Sequence, residues 1–306
     1  MKAAVLLITF NRPETTKLVF EKIQEYKPAR LYISSDGPRS TVPGEKEKVE
    51  ICRALFTEEN IAWNCKTTYW FETENHGCAT SVTNAINKAF QEVDRLIILE
   101  DDVVPAPGFF TFCEEMLDRY ENNEKIMHIS GTRWNEEFND VLQDHFFSTI
   151  GHIWGWATWK RAWKRYDFEI NDFPKLKNDK ILLRRFNSTR ISRYWHARFK
   201  EVYGTPKKRT WDYQWQFSMF FHDGLAVVPN VNLVSNIGLT GEHSDGSKSE
   251  HHFRPLGDWN SIDSPDVPVS IDLEFEKYHI RKRFLKKPPI VRRLRNRIQL
   301  ILKLKH

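Results

Sequence analysis

Residues 95–110 read RLIILEDDVVPAPGFF. The run 95–99 is short, apolar and rich in Ile and Leu, as expected of a strand buried on both faces of a sheet. Glu100, Asp101 and Asp102 follow at once. Pro105, Pro107 and Gly108 then turn the chain before a second apolar element starts at Phe109. Three carboxylates at the end of a buried strand are costly unless something pairs with them. The expected partner is a hard divalent cation, Mn²⁺ or Mg²⁺, which takes oxygen ligands and keeps positions for phosphate oxygens. In an open α/β sheet, ligands sit at the carboxyl ends of the strands. The plainer reading, a solvated acidic turn, suits a bare triplet better than one set between IIL and VVPAPGFF.

Upstream, 3–10 is a continuous apolar run ending at Asn11-Arg12-Pro13, which predicts a buried strand, a loop and a helix over 14–26. Val19, Ile23 and Tyr26 share one face of that helix. A second strand, 31–35, runs into Asp36-Gly37-Pro38-Arg39. There Asp36 is either turn chemistry or a carboxylate that accepts hydrogen bonds from a base or ribose. A charged helical stretch (43–59) and a strand (61–71) come next. The loop Glu74-Asn75-His76-Gly77-Cys78 precedes a helix over 79–93, a weak signal for an anion or ribose site. The alternation of strands and helices predicts a parallel sheet with helices on both faces.

Downstream, a helix (109–122) and a strand (126–130) lead to Gly131-Thr132-Arg133-Trp134-Asn135. The stretch GHIWGWATWKRAWKRYD (151–167) gathers Trp154, Trp156, Trp159 and Trp163. Trp156, Trp159 and Trp163 fall at i, i+3, i+7 and suit a core stripe, while Gly151 and Gly155 suit a loop that approaches a ligand. Residues 172–208 are strongly charged and read as a solvated covering segment. An aromatic helix follows over 211–221, then strands at 225–229 and 232–236. A polar loop at 238–252 carries His243, His251 and His252 without convincing zinc spacing. These shifts place soft boundaries near 127–135 and near Ser261, dividing the chain into 1–130, 131–260, and a linker and tail over 261–306.

The 306 residues are 40% hydrophobic, enough for a substantial core. The net charge of +5 is uneven: eleven of the 46 bases and none of the acids lie from Arg281 onward, so the body is acidic. After Pro288-Pro289, Ile290, Leu294, Ile298 and Ile301 recur at helical spacing among bases. That pattern predicts an amphipathic helix lying on an anionic membrane surface. Phe284 is the only aromatic among the tail's bases, which argues against a nucleic-acid partner. Cys52, Cys65, Cys78 and Cys113 lack CxxC spacing, so reduced thiols are expected, with a Cys52–Cys65 bridge as the alternative. The apolar run near the N-terminus lacks a cleavage site and is too short to span a bilayer. A cytoplasmic protein, peripheral at the inner face of the membrane, is expected.

Taken in order, VLLITFNR, SSDGPR, IILEDDVVPAPGFF, SGTRWN, GHIWGWATW and TWDYQW resemble the GT-A fold glycosyltransferases that use nucleotide sugars, with N-acetylglucosaminyltransferase I as the nearest pattern. The resemblance covers most of 3–245 and implies an α/β fold with a mostly parallel sheet flanked by helices. It implies that Arg12 contacts the nucleotide and Asp36 the base, that Glu100 and Asp101 face the sugar and ribose, and that Asp102 binds the metal. It further implies that Gly155 and Trp156 help form the acceptor and donor-sugar pocket, and that Asp212 is the base. The partners implied are a nucleotide-sugar donor and a glycan or lipid-linked acceptor. The sequence departs from the family at Tyr213, where a second acid commonly follows, and in the charged insert 172–208. On its residues alone, Asp212 reads slightly better as an ordinary helix N-terminal acid favoured by the dipole. Two rival readings are a sugar nucleotidyltransferase, which needs a Gly-rich loop where this chain has TFNRPETT, and a non-catalytic binding protein.

Overall fold

The computed structural model describes residues 2–137, 143–206, 208–241, 244–245, 251–261, 267–271 and 273–285. The first half alternates as its sequence predicts: β1 (Ala4–Thr9), α1 (Pro13–Tyr26), β2 (Arg30–Ser35), α2 (Glu45–Arg53), β3 (Lys66–Phe71), α3 (Cys78–Ala89) and β4 (Arg95–Glu100). A short β5 (Val103–Pro105), α4 (Gly108–Arg119) and β6 (Ile126–Ser130) follow. The second half holds β7 (His145–Ser148), β8 (Trp156–Trp159), α5 (Lys160–Trp163), α6 (Phe173–Asn178), α7 (Ile181–Phe186), α8 (Thr189–Val202), α9 (Asp212–Phe221) and β9 (Leu225–Pro229). Last come β10 (Val234–Asn236), β11 (Thr240–Gly241), β12 (Ser244–Asp245) and α10 (Leu273–Arg283).

Eight strands form one sheet in the order β3-β2-β1-β4-β8-β6-β9-β7. β3, β2, β1 and β4 are parallel neighbours, with Val5 opposite Leu31 and Ile97. β8 runs antiparallel to both β4 and β6, β9 is parallel to β6, and β7 reverses at the edge. The sheet is thus mostly parallel. Successive residues of a strand point to opposite faces, so a run buried on both faces is apolar throughout. Val5 and Leu7 pack with Ile97, Leu99 and the α4 side chains Phe109 and Met116. Leu6 packs on the other face with Ile98, Ile86 of α3 and Trp215 of α9.

Three sequence expectations are corrected. Residues 131–260 supply β7, β8 and β9 to the common sheet, so the boundary near 130 falls within one sheet. Residues 172–208 are more than a solvated cover. Ile191, Trp195, Phe199 and Val202 of α8 form a buried stripe that joins Leu176, Leu182, Phe217 and Phe220 in a third core. Residues 261–306 are more than linker and tail, because α10 packs on the body. Its buried Glu276 accepts hydrogen bonds from the Thr149 amide (2.5 Å) and hydroxyl (3.0 Å). His279 meets Asn135 at 2.8 Å and His152 at 2.9 Å. The predicted basic helix beyond Pro289 and His243 both lie outside the described residues. All four cysteines are free, so the Cys52–Cys65 alternative falls.

Candidate active site

The carboxyl ends of β1, β2 and β4 open into a cleft of about 500 Å³. Arg12, Asp36, Glu100, Asp101, Asp102 and Asp212 all line it. The parallel order brings the first five together, because equivalent ends of neighbouring parallel strands lie side by side. Asp212 arrives from the other half of the chain at the N-terminus of α9.

At the floor, Asp101 Oδ2 accepts a hydrogen bond from the Phe10 amide at 2.9 Å. Arg12 Nη1 reaches Asp101 Oδ1 at 2.8 Å and Asp102 Oδ2 at 2.7 Å, bridging both acids. The Asn236 side chain donates to Asp102 Oδ1 at 3.4 Å, and the Ile237 amide to the Asp102 carbonyl at 2.8 Å. A Cβ on Gly238 would stand 2.0 Å from Asp102 Oδ2, so only glycine lets this segment close over the acid. Burial, reinforced by the charges of Asp102 and Asp101, raises the Glu100 carboxyl to about 8. Burial raises Asp101 to about 6 against the pull of Arg12. Asp102 is also raised by burial, again opposed by Arg12. Three crowded acids and one guanidinium leave a local demand for more positive charge.

No group of three His, Cys, Asp or Glu side chains is placed to hold a metal among the described residues. A Mg²⁺-like cation is nonetheless commonly held by one or two carboxylates with substrate phosphates and water. Asp102, buried at the cleft and held by Arg12, by a long contact from Asn236 and by its own backbone, suits that arrangement.

Asp212 sits on a rigid aromatic block. Trp211 stacks on Trp156 with ring centroids 5.5 Å apart, and Trp215 donates to His128 Nδ1 at 3.1 Å. Tyr166 donates to the Trp211 carbonyl at 3.2 Å, and Gln214 to the Thr210 carbonyl at 2.6 Å. The Asp212 charge reaches Glu100 across the cleft.

The structure corrects two expected positions. Gly155 and Trp156 do not line the cleft; Ile153 and Trp154 do. Trp156 begins β8 and is buried in the core, while the Gly155 carbonyl accepts from the Gly131 amide at 2.7 Å. Sequence reading missed Asn236 and Gly238, which no local motif marks, gave Arg39 no role, and marked Asn75 only as part of a loop with a weak signal for an anion or ribose site; all four line the cleft.

The chain thus has an α/β fold, a mostly parallel sheet flanked by helices with an acid-ended strand at a cleft. No protein family matches the chain, and neither does any curated protein. Solved structures similar to it include TarS 1-349 from S. aureus, with 12% identity, a TM-score of 0.39 and coverage of 75% of this chain and 58% of that one. HddC from Yersinia pseudotuberculosis is similar at 17% identity, with a TM-score of 0.27 and coverage of 39% of this chain and 55% of that one. The chain therefore spans little more than half the length of either.

Proposed function

We propose that this chain is an inverting glycosyltransferase that moves a sugar from a nucleoside diphosphate sugar to a hydroxyl of a glycan or lipid-linked acceptor. One observation carries the reading: a single cleft at the strand ends holds an acidic cluster at one pole and Asp212, from α9, at another. Breaking a bond to a diphosphate leaving group builds negative charge, and inversion needs a base to take the acceptor's proton. Asp212, fixed on the aromatic block, is the base. Such a group typically contributes roughly 10²–10⁴-fold. Arg12 orients the acids and adds positive charge beside the phosphates. Asp102 would hold a divalent cation, which would supply Lewis-acid neutralisation of the leaving diphosphate. The loop from β1 into α1, Phe10-Asn11-Arg12-Pro13, has no glycine with which to wrap a triphosphate, which disfavours nucleotidyl transfer. The basic tail holds the enzyme on an anionic membrane, close to a lipid-linked acceptor.

The test is nucleoside diphosphate release from a panel of nucleotide sugars with Mn²⁺, Mg²⁺ or a chelator. Metal-dependent release from at least one donor is expected, with loss under chelator. Failure of every donor to bind or turn over with either metal would sink the reading.

A further inference from the structure

The Asp36 carboxylate is fully engaged inside the protein. Its Oδ1 accepts from the amides of Gly37 and His76, both at 3.0 Å. Its Oδ2 accepts from the Gly77 amide at 3.0 Å and the Asn75 side-chain nitrogen at 3.1 Å. A carboxylate has about four acceptor sites, and here four donors fill them. The bonds weld the loop after β2 to the loop before α3. Arg53 adds to the weld by donating to the carbonyls of Asp36 (3.2 Å) and Glu72 (2.6 Å). A Cβ on Gly37 would lie 2.4 Å from the Glu74 backbone, so the two loops meet without room for a side chain.

Asn75 is the half-buried side chain that this weld presents at the cleft. Its amide nitrogen donates to Asp36 Oδ2 and, at 2.8 Å, to the Gly37 carbonyl. Both neighbours are acceptors only, so the amide can be placed in just one sense. Its Oδ1 has no partner among the described residues. The group offered at this end of the cleft is therefore an oriented acceptor.

Taking the cleft as a nucleoside diphosphate site, we propose that Asp36 is a positioning residue that never meets the base, and that Asn75 Oδ1 reads the base by accepting a ring N–H. Uracil, thymine and guanine carry such a proton. Cytosine and adenine present an unprotonated ring nitrogen, which would face the Asn75 oxygen lone pair to lone pair. One hydrogen bond made or lost is worth roughly tenfold in affinity.

The experiment compares UDP and CDP binding, each with Mn²⁺, to the full chain and to the variants Asp36→Asn and Asn75→Ala. The wild type should prefer UDP by roughly tenfold. Asp36→Asn should lower the melting temperature and weaken both nucleotides by a common factor, leaving the ratio intact. Asn75→Ala should bring the ratio close to one. A ratio kept in Asn75→Ala, a loss confined to UDP in Asp36→Asn, or no preference in the wild type would each overturn the proposal. If Asp36→Asn fails to fold, the ratio in Asn75→Ala decides alone. Binding without preference refutes only this inference, whereas no binding of either nucleotide refutes the reading of the cleft itself.

Discussion

At the scale of single residues, the cleft predicts distinct failures for its two poles. Asp212→Asn keeps the shape and removes the proposed proton acceptor, so turnover should fall roughly 10²–10⁴-fold while donor affinity changes little. A collapse of donor binding instead would make Asp212 a donor-site residue. Asp102→Asn should abolish metal-dependent donor binding without unfolding the chain; wild-type metal affinity in that variant would end the assignment. Gly238→Ala should mimic it in part, since the added carbon must displace the Asp102 carboxylate or the backbone. Much of this was legible: the acidic triplet after an apolar run marks a strand end, and Asp101, Asp102 and Arg12 meet there. The Asp102 contacts to Asn236 and Gly238 were not legible. They join positions more than 130 residues apart, and nothing in a short stretch of chain encodes such proximity.

Among elements, the strands and helices of the first half follow their hydrophobic period, because a strand buried on both faces leaves little choice. Trp156, Trp159 and Trp163 show where period misleads. Their spacing fits one helical face, but Trp156 and Trp159 lie on strand β8 and point into opposite cores. α8 shows the opposite error: its bases hid the stripe of Ile191, Trp195 and Phe199. Truncating Trp195, which is 2% exposed, to Ala should cost about 3–5 kcal/mol and lower the melting temperature. An unchanged melting curve would mean that α6, α7 and α8 are not coupled to the main core. α10 adds a pH dependence. Burial, with Arg283 and Arg133 nearby, lowers the His279 pKa to about 3. His128 is lowered to about 3 by burial as well. Both stay neutral in the folded chain and gain a proton on unfolding below about pH 6.5. Stability should therefore be full above that pH and decline toward pH 3, by about 1.4 kcal/mol per pH unit for each histidine. Denaturant melts of His279→Gln should show a shallower decline, and an equal slope would show that His279 is not linked to folding.

For the whole molecule, the described residues contain no helix long and apolar enough to cross a membrane. The proposed attachment through the basic tail is a separate matter. Arg283, at the end of α10, stacks on Trp134 with its guanidinium 3.4 Å from the ring centre. Arg254 covers the same ring at 3.9 Å. Trp134 in turn contacts Trp154 of the cleft wall, with centroids 5.8 Å apart. The chain thus leaves its last described helix beside the cleft, a suitable place from which to hold the opening toward a lipid. The full chain should co-sediment with vesicles containing anionic lipid, and a chain ending at Leu285 should not. Equal binding by both, or binding indifferent to salt, would refute attachment through the tail.

The antiparallel strand β8, set between β4 and β6, has a consequence for how the protein is made. A nascent chain that has emerged through β4 can assemble β3-β2-β1-β4, yet the outer side of β4 then has no neighbour. Its neighbour β8 ends at Trp159, some sixty residues after β4 ends at Glu100. At roughly 5–20 residues per second, ribosomal synthesis leaves that edge bare for several seconds. An unpaired apolar strand edge is a template for intermolecular pairing. Fragments ending between residues 100 and 155 should therefore aggregate, while those reaching beyond Trp163 should stay dispersed for longer. The lifetime of that bare edge, rather than final stability, would then govern the yield of folded protein.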